Sequence, residues 1–162
     1  MARSTAHGFL FLGASALLVV AWLLYFLRLH DPAFPALVYA GWAIIGGGYI
    51  LMFLSICTLR TQGKRKAGQD FTHTTRVVEH GIYAAVRHPL YLGWLLMYVA
   101  AMFLSQHWLV LILALLGSGC VYGIARLEDR DLVERFGPAY ERYMQSVPGM
   151  NLLAGIRRLL RS

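Results

Sequence analysis

The chain has 162 residues, enough for one domain, and 58% of them are hydrophobic while only 14% are charged. Ordinary soluble domains carry about 25% charged residues, so a soluble fold of this size is excluded and an integral membrane protein is expected. The net charge is +7, but the basic residues flank apolar blocks, which argues for a membrane surface and against nucleic acid as partner.

The first apolar run, about residues 8–28, ends in Trp22, Tyr25 and Phe26 without a small-residue cleavage site. That pattern predicts a retained span in place of a signal peptide. The second run, about 36–59, is uncharged and holds Gly41 and Gly46-Gly47-Gly48, which permit close helix approach. A polar segment with Arg60, Lys64, Arg65 and Lys66 follows, and its part from Gly68 to Thr75 reads as a loop able to lie over a site. The third and fourth runs, about 89–105 and 107–126, meet at Gln106-His107 and read as a tight hairpin.

The fold class expected is therefore an all-α integral membrane protein, one domain with four spans and a helical tail over 127–162. With both termini inside, the basic residues collect on one side, as the positive-inside rule requires. This places termini and tail in the cytoplasm, with a bacterial inner membrane as the setting. The tail predicts a helix over 126–136, a break at Gly137-Pro138, and a second helix with Tyr140, Tyr143, Met144 and Val147 on one face. Beyond Pro148-Gly149, Leu152, Leu153, Ile156, Leu159 and Leu160 oppose Arg157, Arg158 and Arg161. That is a basic amphipathic helix expected on the inner leaflet.

The chemistry concentrates at Gly81-Ile82-Tyr83-Ala84-Ala85-Val86-Arg87-His88-Pro89-Leu90-Tyr91-Leu92-Gly93. Pro89 suits the first position of a helix. The N–H groups of Leu90 and Tyr91 then lack intrahelical acceptors, and a helix start of this kind favours anions. If the hairpin turns at 106–107, equal arms bring Arg87-His88 beside Arg126 to Glu128. Both signs of charge converge there, as a zwitterionic cofactor needs. Simpler readings compete with this one. Arg87, Arg126 and the tyrosines also suit interfacial anchoring, His88 also suits a helix cap, and Glu128 and Asp129 also suit an exposed pair with Arg130. The histidines and the two cysteines show no metal-ligand spacing, so no metal is expected.

Two segments resemble a known family. Arg87-His88-Pro89-Leu90-Tyr91-Leu92-Gly93, and the later Arg126-Leu127-Glu128-Asp129 with Phe136-Gly137-Pro138-Ala139-Tyr140-Glu141-Arg142-Tyr143, are similar to the two motifs of the isoprenylcysteine carboxyl methyltransferase and phospholipid methyltransferase superfamily. The resemblance implies S-adenosylmethionine as methyl donor, S-adenosylhomocysteine as product and a lipophilic acceptor: an isoprenylcysteine-like carboxylate, a phospholipid amine, or a small thiol or amine. It assigns Tyr83, Arg87, His88, Pro89, Leu90, Tyr91, Gly93, Glu128 and Tyr140 to the cofactor, and Arg126 and Glu128 to catalysis. Tyr83 or Tyr91 would face the sulfonium as cation–π partners. Asp129 stands where the isoprenylcysteine enzymes carry Glu, and several relatives have more than four spans. An NADPH-dependent membrane sterol or enone reductase of related architecture, and a non-catalytic membrane subunit, are the other readings.

Overall fold

The computed structural model describes residues 2–63 and 75–161 and is all-helical there. Lys64, Arg65, Lys66 and nearly all of the Gly68–Thr75 loop lie outside the described residues. In chain order the helices are α1 (Ala2–Phe26), α2 (Pro35–Gln62), α3 (Ile82–Ala85), α4 (Pro89–Ser105), α5 (Trp108–Phe136), α6 (Pro138–Ser146) and α7 (Leu152–Leu159). Helices α1, α2 and α5 are long and apolar enough to cross a membrane, and α4 is a shorter apolar helix. In a bilayer only internally bonded backbone is stable, so such runs form helices.

The helix expected over 126–136 is not separate from the fourth span. Both belong to α5, since neither Gly nor Pro interrupts the chain between Gly123 and Gly137. The apolar stretch 108–125 is the crossing part. From Arg126 to Phe136 seven of eleven residues are charged, so the same helix leaves the membrane there. It ends at Gly137, whose φ of 55° suits glycine, and Pro138 opens α6.

The chain divides into two compact units. One comprises Met1–Tyr49 and Gly93–Leu127. Glycines let its helices approach: a Cβ on Gly41 would lie 2.9 Å from Leu104, and one on Gly48 2.4 Å from Met97. Gly46 and Gly47 have open space instead, so the glycine triplet serves packing at one position only. Ala21, Ala101 and Val110 form a buried cluster. The α4–α5 turn is fixed by Gln106, a positive-φ residue whose amide accepts from the Phe34 N–H at 2.9 Å and donates to the Phe34 carbonyl at 3.0 Å.

The other unit comprises Ile50–Leu92 and Glu128–Ser162. Its core holds Tyr140, Tyr143 and Val147, with Leu132, Val133, Phe136, Met144 and Val77 packed around them. The i, i+3 spacing in α6 puts the two tyrosines on one face, and Val147, the extended residue that ends the helix, packs with them. The Tyr143 hydroxyl donates to the Tyr83 carbonyl at 2.7 Å, and the Tyr83 and Ser55 hydroxyls share a 2.7 Å hydrogen bond. Helix α7 packs on α3. Gly155 is buried there, and a Cβ on it would fall 1.7 Å from the Ala85 carbonyl oxygen. Arg158 opposes the leucines as expected, and its guanidinium donates to the Ala84 carbonyl of α3.

Candidate functional site

The site builds up within the second unit, from the stretch entering α4. Pro89 opens that helix, so the two preceding residues lie outside it and their N–H groups are free to bond elsewhere. The Arg87 N–H donates to the Pro148 carbonyl at 2.9 Å, and the His88 N–H to the Gly149 carbonyl at 3.0 Å. The segment after α6 thus pairs with the segment before α4. Gly149 permits this, since even a Cβ there would lie 3.3 Å from the Arg87 guanidinium.

Three side chains then converge on one atom, Oδ1 of Asp129 in α5. Arg87 Nη1 donates to it at 2.7 Å, His88 Nε2 at 2.8 Å and the Tyr140 hydroxyl at 2.7 Å. Arg87 Nε also donates to the Val147 carbonyl at 3.0 Å. Burial pushes the Asp129 carboxyl up, but His88, Tyr140 and Arg87 outweigh it and hold the group below its ordinary range. An ionised carboxylate only accepts, so His88 carries a proton on Nε2 and turns Nδ1 the other way. Nδ1 lies 3.9 Å from Glu128 Oε2. Burial first, and then the bond to Asp129, raise the Tyr140 phenol, which therefore stays a donor. Burial likewise raises Tyr83 and Tyr143.

Beside this cluster is a cavity lined by Tyr83, Arg87, His88, Leu90, Tyr91, Glu128 and Tyr140, with Leu132, Phe136 and Tyr143 among its apolar and aromatic walls. The space counted out through its open mouth, solvent included, is about 650 Å3, of which about 80 Å3 is enclosed. Of the residues singled out in the sequence, these seven line one space. Pro89 is buried behind them, and Gly93 falls in the first unit. Arg126 is exposed, also in the first unit, and does not line the cavity. Among the described residues, no three His, Cys, Asp or Glu side chains are grouped as a metal site.

Asp129 corrects the reading of an exposed pair with Arg130. Its side chain is only 7% exposed and its partners are Arg87 and His88. The signal was present: Arg87 and His88 are adjacent at the mouth of a hairpin, and a buried cation needs a counter-ion.

The phospholipid methyltransferase family model matches residues 36–139, which include the α4 entry, Asp129 and the start of α6. The chain belongs to this family. Among curated relatives, methanethiol S-methyltransferase of Pseudomonas deceptionensis is 38% identical over 138 residues, covering 81% of this chain and 48% of that protein. Methanethiol S-methyltransferase 1 of Bradyrhizobium diazoefficiens is 32% identical over 110 residues, covering 67% and 38%. Protein-S-isoprenylcysteine O-methyltransferase of Xenopus laevis is 27% identical over 140 residues, covering 80% and 48%. The chain thus spans about half the length, or less, of these relatives. No solved structure matches it.

Proposed function

We propose that this family member is an integral membrane methyltransferase that takes its methyl group from S-adenosylmethionine and gives it to a lipophilic or small apolar acceptor. The observation that carries the reading is the convergence of Arg87, His88 and Tyr140 on Asp129, which fixes a cavity walled by Glu128, the start of α4 and aromatic rings. The residues present fit the donor. Its carboxylate suits the free N–H groups of Leu90 and Tyr91, its ammonium suits Glu128, and its adenine and sulfonium suit the tyrosines and Phe136. When bound, the donor supplies a methyl cation equivalent from a sulfonium whose charge is quenched in transfer.

The chain's own part is positioning and water exclusion. Arg87 is committed to Asp129 and Val147, so it builds the wall. The apolar lining of Leu59, Val77, Val78 and Leu132 favours a reaction in which charge is lost. Glu128, with His88 Nδ1 beside it, is the base on hand for a thiol or amine acceptor. For a carboxylate acceptor the family resemblance gives the orienting role to Arg126, although Arg126 does not line the cavity.

His88→Ala and Glu128→Gln are each expected to weaken S-adenosylhomocysteine binding by about 1–3 kcal/mol, and the double variant to be non-additive. Calorimetry on the four proteins measures this. Wild-type affinity in both single variants removes these residues from the site, and tight binding of NADPH with none of S-adenosylhomocysteine favours the reductase. Labelled methyl transfer by Arg126→Lys separates acceptors: a carboxylate acceptor loses turnover with donor affinity kept, whereas a thiol or amine acceptor is indifferent.

The orientation proposed puts the cavity and both ends of this chain in the cytoplasm of a bacterial inner membrane, from the distribution of arginine and lysine. A phosphatase fused after Ser162 is expected to be silent, and a fluorescent protein there bright. A periplasmically active phosphatase would reverse the assignment.

A further inference from the structure

Helix α7 is held on one side and bare on the other. Its attached side is Gly155 against the Ala85 carbonyl and Arg158 on the Ala84 carbonyl. Asn151 caps its start, accepting from the Ala154 N–H at 2.9 Å, so the helix is a fixed element. At 100° per residue, Ile156, Leu160 and Leu153 form a stripe turned away from α3. They are 41%, 82% and 71% exposed. Arg157 and Arg161 border the stripe and are exposed as well. From Arg142 to Arg161 the chain has four arginines and no acidic residue.

We infer that this stripe is a docking surface for the anionic leaflet of the membrane in which the protein sits, with Leu153, Ile156 and Leu160 in the acyl boundary and Arg157 and Arg161 at lipid phosphates. The charge selects the occupant. A soluble partner would have to offer apolar and acidic surface together, whereas an anionic leaflet offers both along its whole extent. The protein's own spans keep that leaflet at hand. Because α7 is clasped to α3, and α3 carries Tyr83 of the cavity wall, the lipid surface also steadies one wall of the site. The surface itself does not depend on the reaction proposed above.

The test uses the full chain with Cys57→Ala and Cys120→Ala, in nanodiscs of phosphatidylcholine alone or with phosphatidylglycerol. A polarity-sensitive fluorophore is placed at Leu160→Cys on the stripe, or at Ala154→Cys, an exposed position outside it. The expected result is quenching by spin-labelled lipid at 160 and not at 154, strengthened by phosphatidylglycerol. Each arginine contributes about a fivefold preference for an anionic surface, so Arg157→Gln with Arg161→Gln abolishes the phosphatidylglycerol effect while both variants stay folded. Equal water access at 160 and 154 overturns the inference. Protection at 160 that lipid quenchers do not reach, and that rises with protein-to-lipid ratio, also overturns it and assigns the stripe to a second copy of the chain.

Discussion

Asp129→Asn is expected to destabilise the protein by about 3–5 kcal/mol, the usual loss when a buried ion pair is broken from one side. The Arg87 and Asp129 side chains are 10% and 7% exposed, so solvent does little to screen the pair. Asparagine keeps the shape but not the charge, and its neutral oxygen accepts more weakly from the three donors that now meet on Oδ1. Most of the loss comes from the stranded guanidinium, so adding Arg87→Leu should recover part of it. The pH dependence has a definite sign. The folded carboxyl lies below its ordinary value, so its stabilisation is complete above about pH 4 and disappears as pH falls through the lowered value. The variant should lack that acid-range step. Thermal unfolding in one detergent, with binding of S-adenosylhomocysteine, checks both. An unchanged melting temperature would mean that water reaches Arg87.

Gly155→Ala is the second large effect. One methyl group would sit 1.7 Å from a backbone oxygen that cannot rotate away, so helix α7 must move. Overpacking of this kind costs about 1–3 kcal/mol or more. Here the cheapest response is release of the helix from α3 instead of global unfolding, since the bond from Arg158 to the Ala84 carbonyl can break with it. Hydrogen exchange of residues 150–161 should rise sharply while that of 128–146 stays protected. Binding of S-adenosylhomocysteine should fall several-fold through the loosened Tyr83 wall. Unchanged exchange in α7 would show that the helix slides and keeps its seat.

Much of this arrangement was legible in the sequence. Uncharged runs of membrane length give the helices, and counting residues out from Gln106-His107 brings His88 to the level of Glu128. Depth, however, is not azimuth. Glu128 and Asp129 differ by 100° about α5, and no pattern in 126–131 says which acid turns toward Arg87. The same uncertainty explains Arg126, which lies at the right depth but is exposed. The continuity of α5 was missed because a change from apolar to charged residues resembles an end, although helix propensity runs through it. Gly155 carries no mark in the sequence. Its meaning comes from Ala85, seventy positions earlier, and pairwise contacts at that separation leave no periodic trace.

The single oxygen shared by Arg87, His88 and Tyr140 also sets an order of manufacture. The chain emerges from the ribosome with residue 87 long before residue 129, and Val147, Pro148 and Gly149 come later still. Until then Arg87 and His88 have neither their counter-ion nor the carbonyls that hold their backbone. A nascent protein stalled before Asp129 would therefore insert its apolar helices yet contain no assembled cavity, which would form only once residues 129–149 are made.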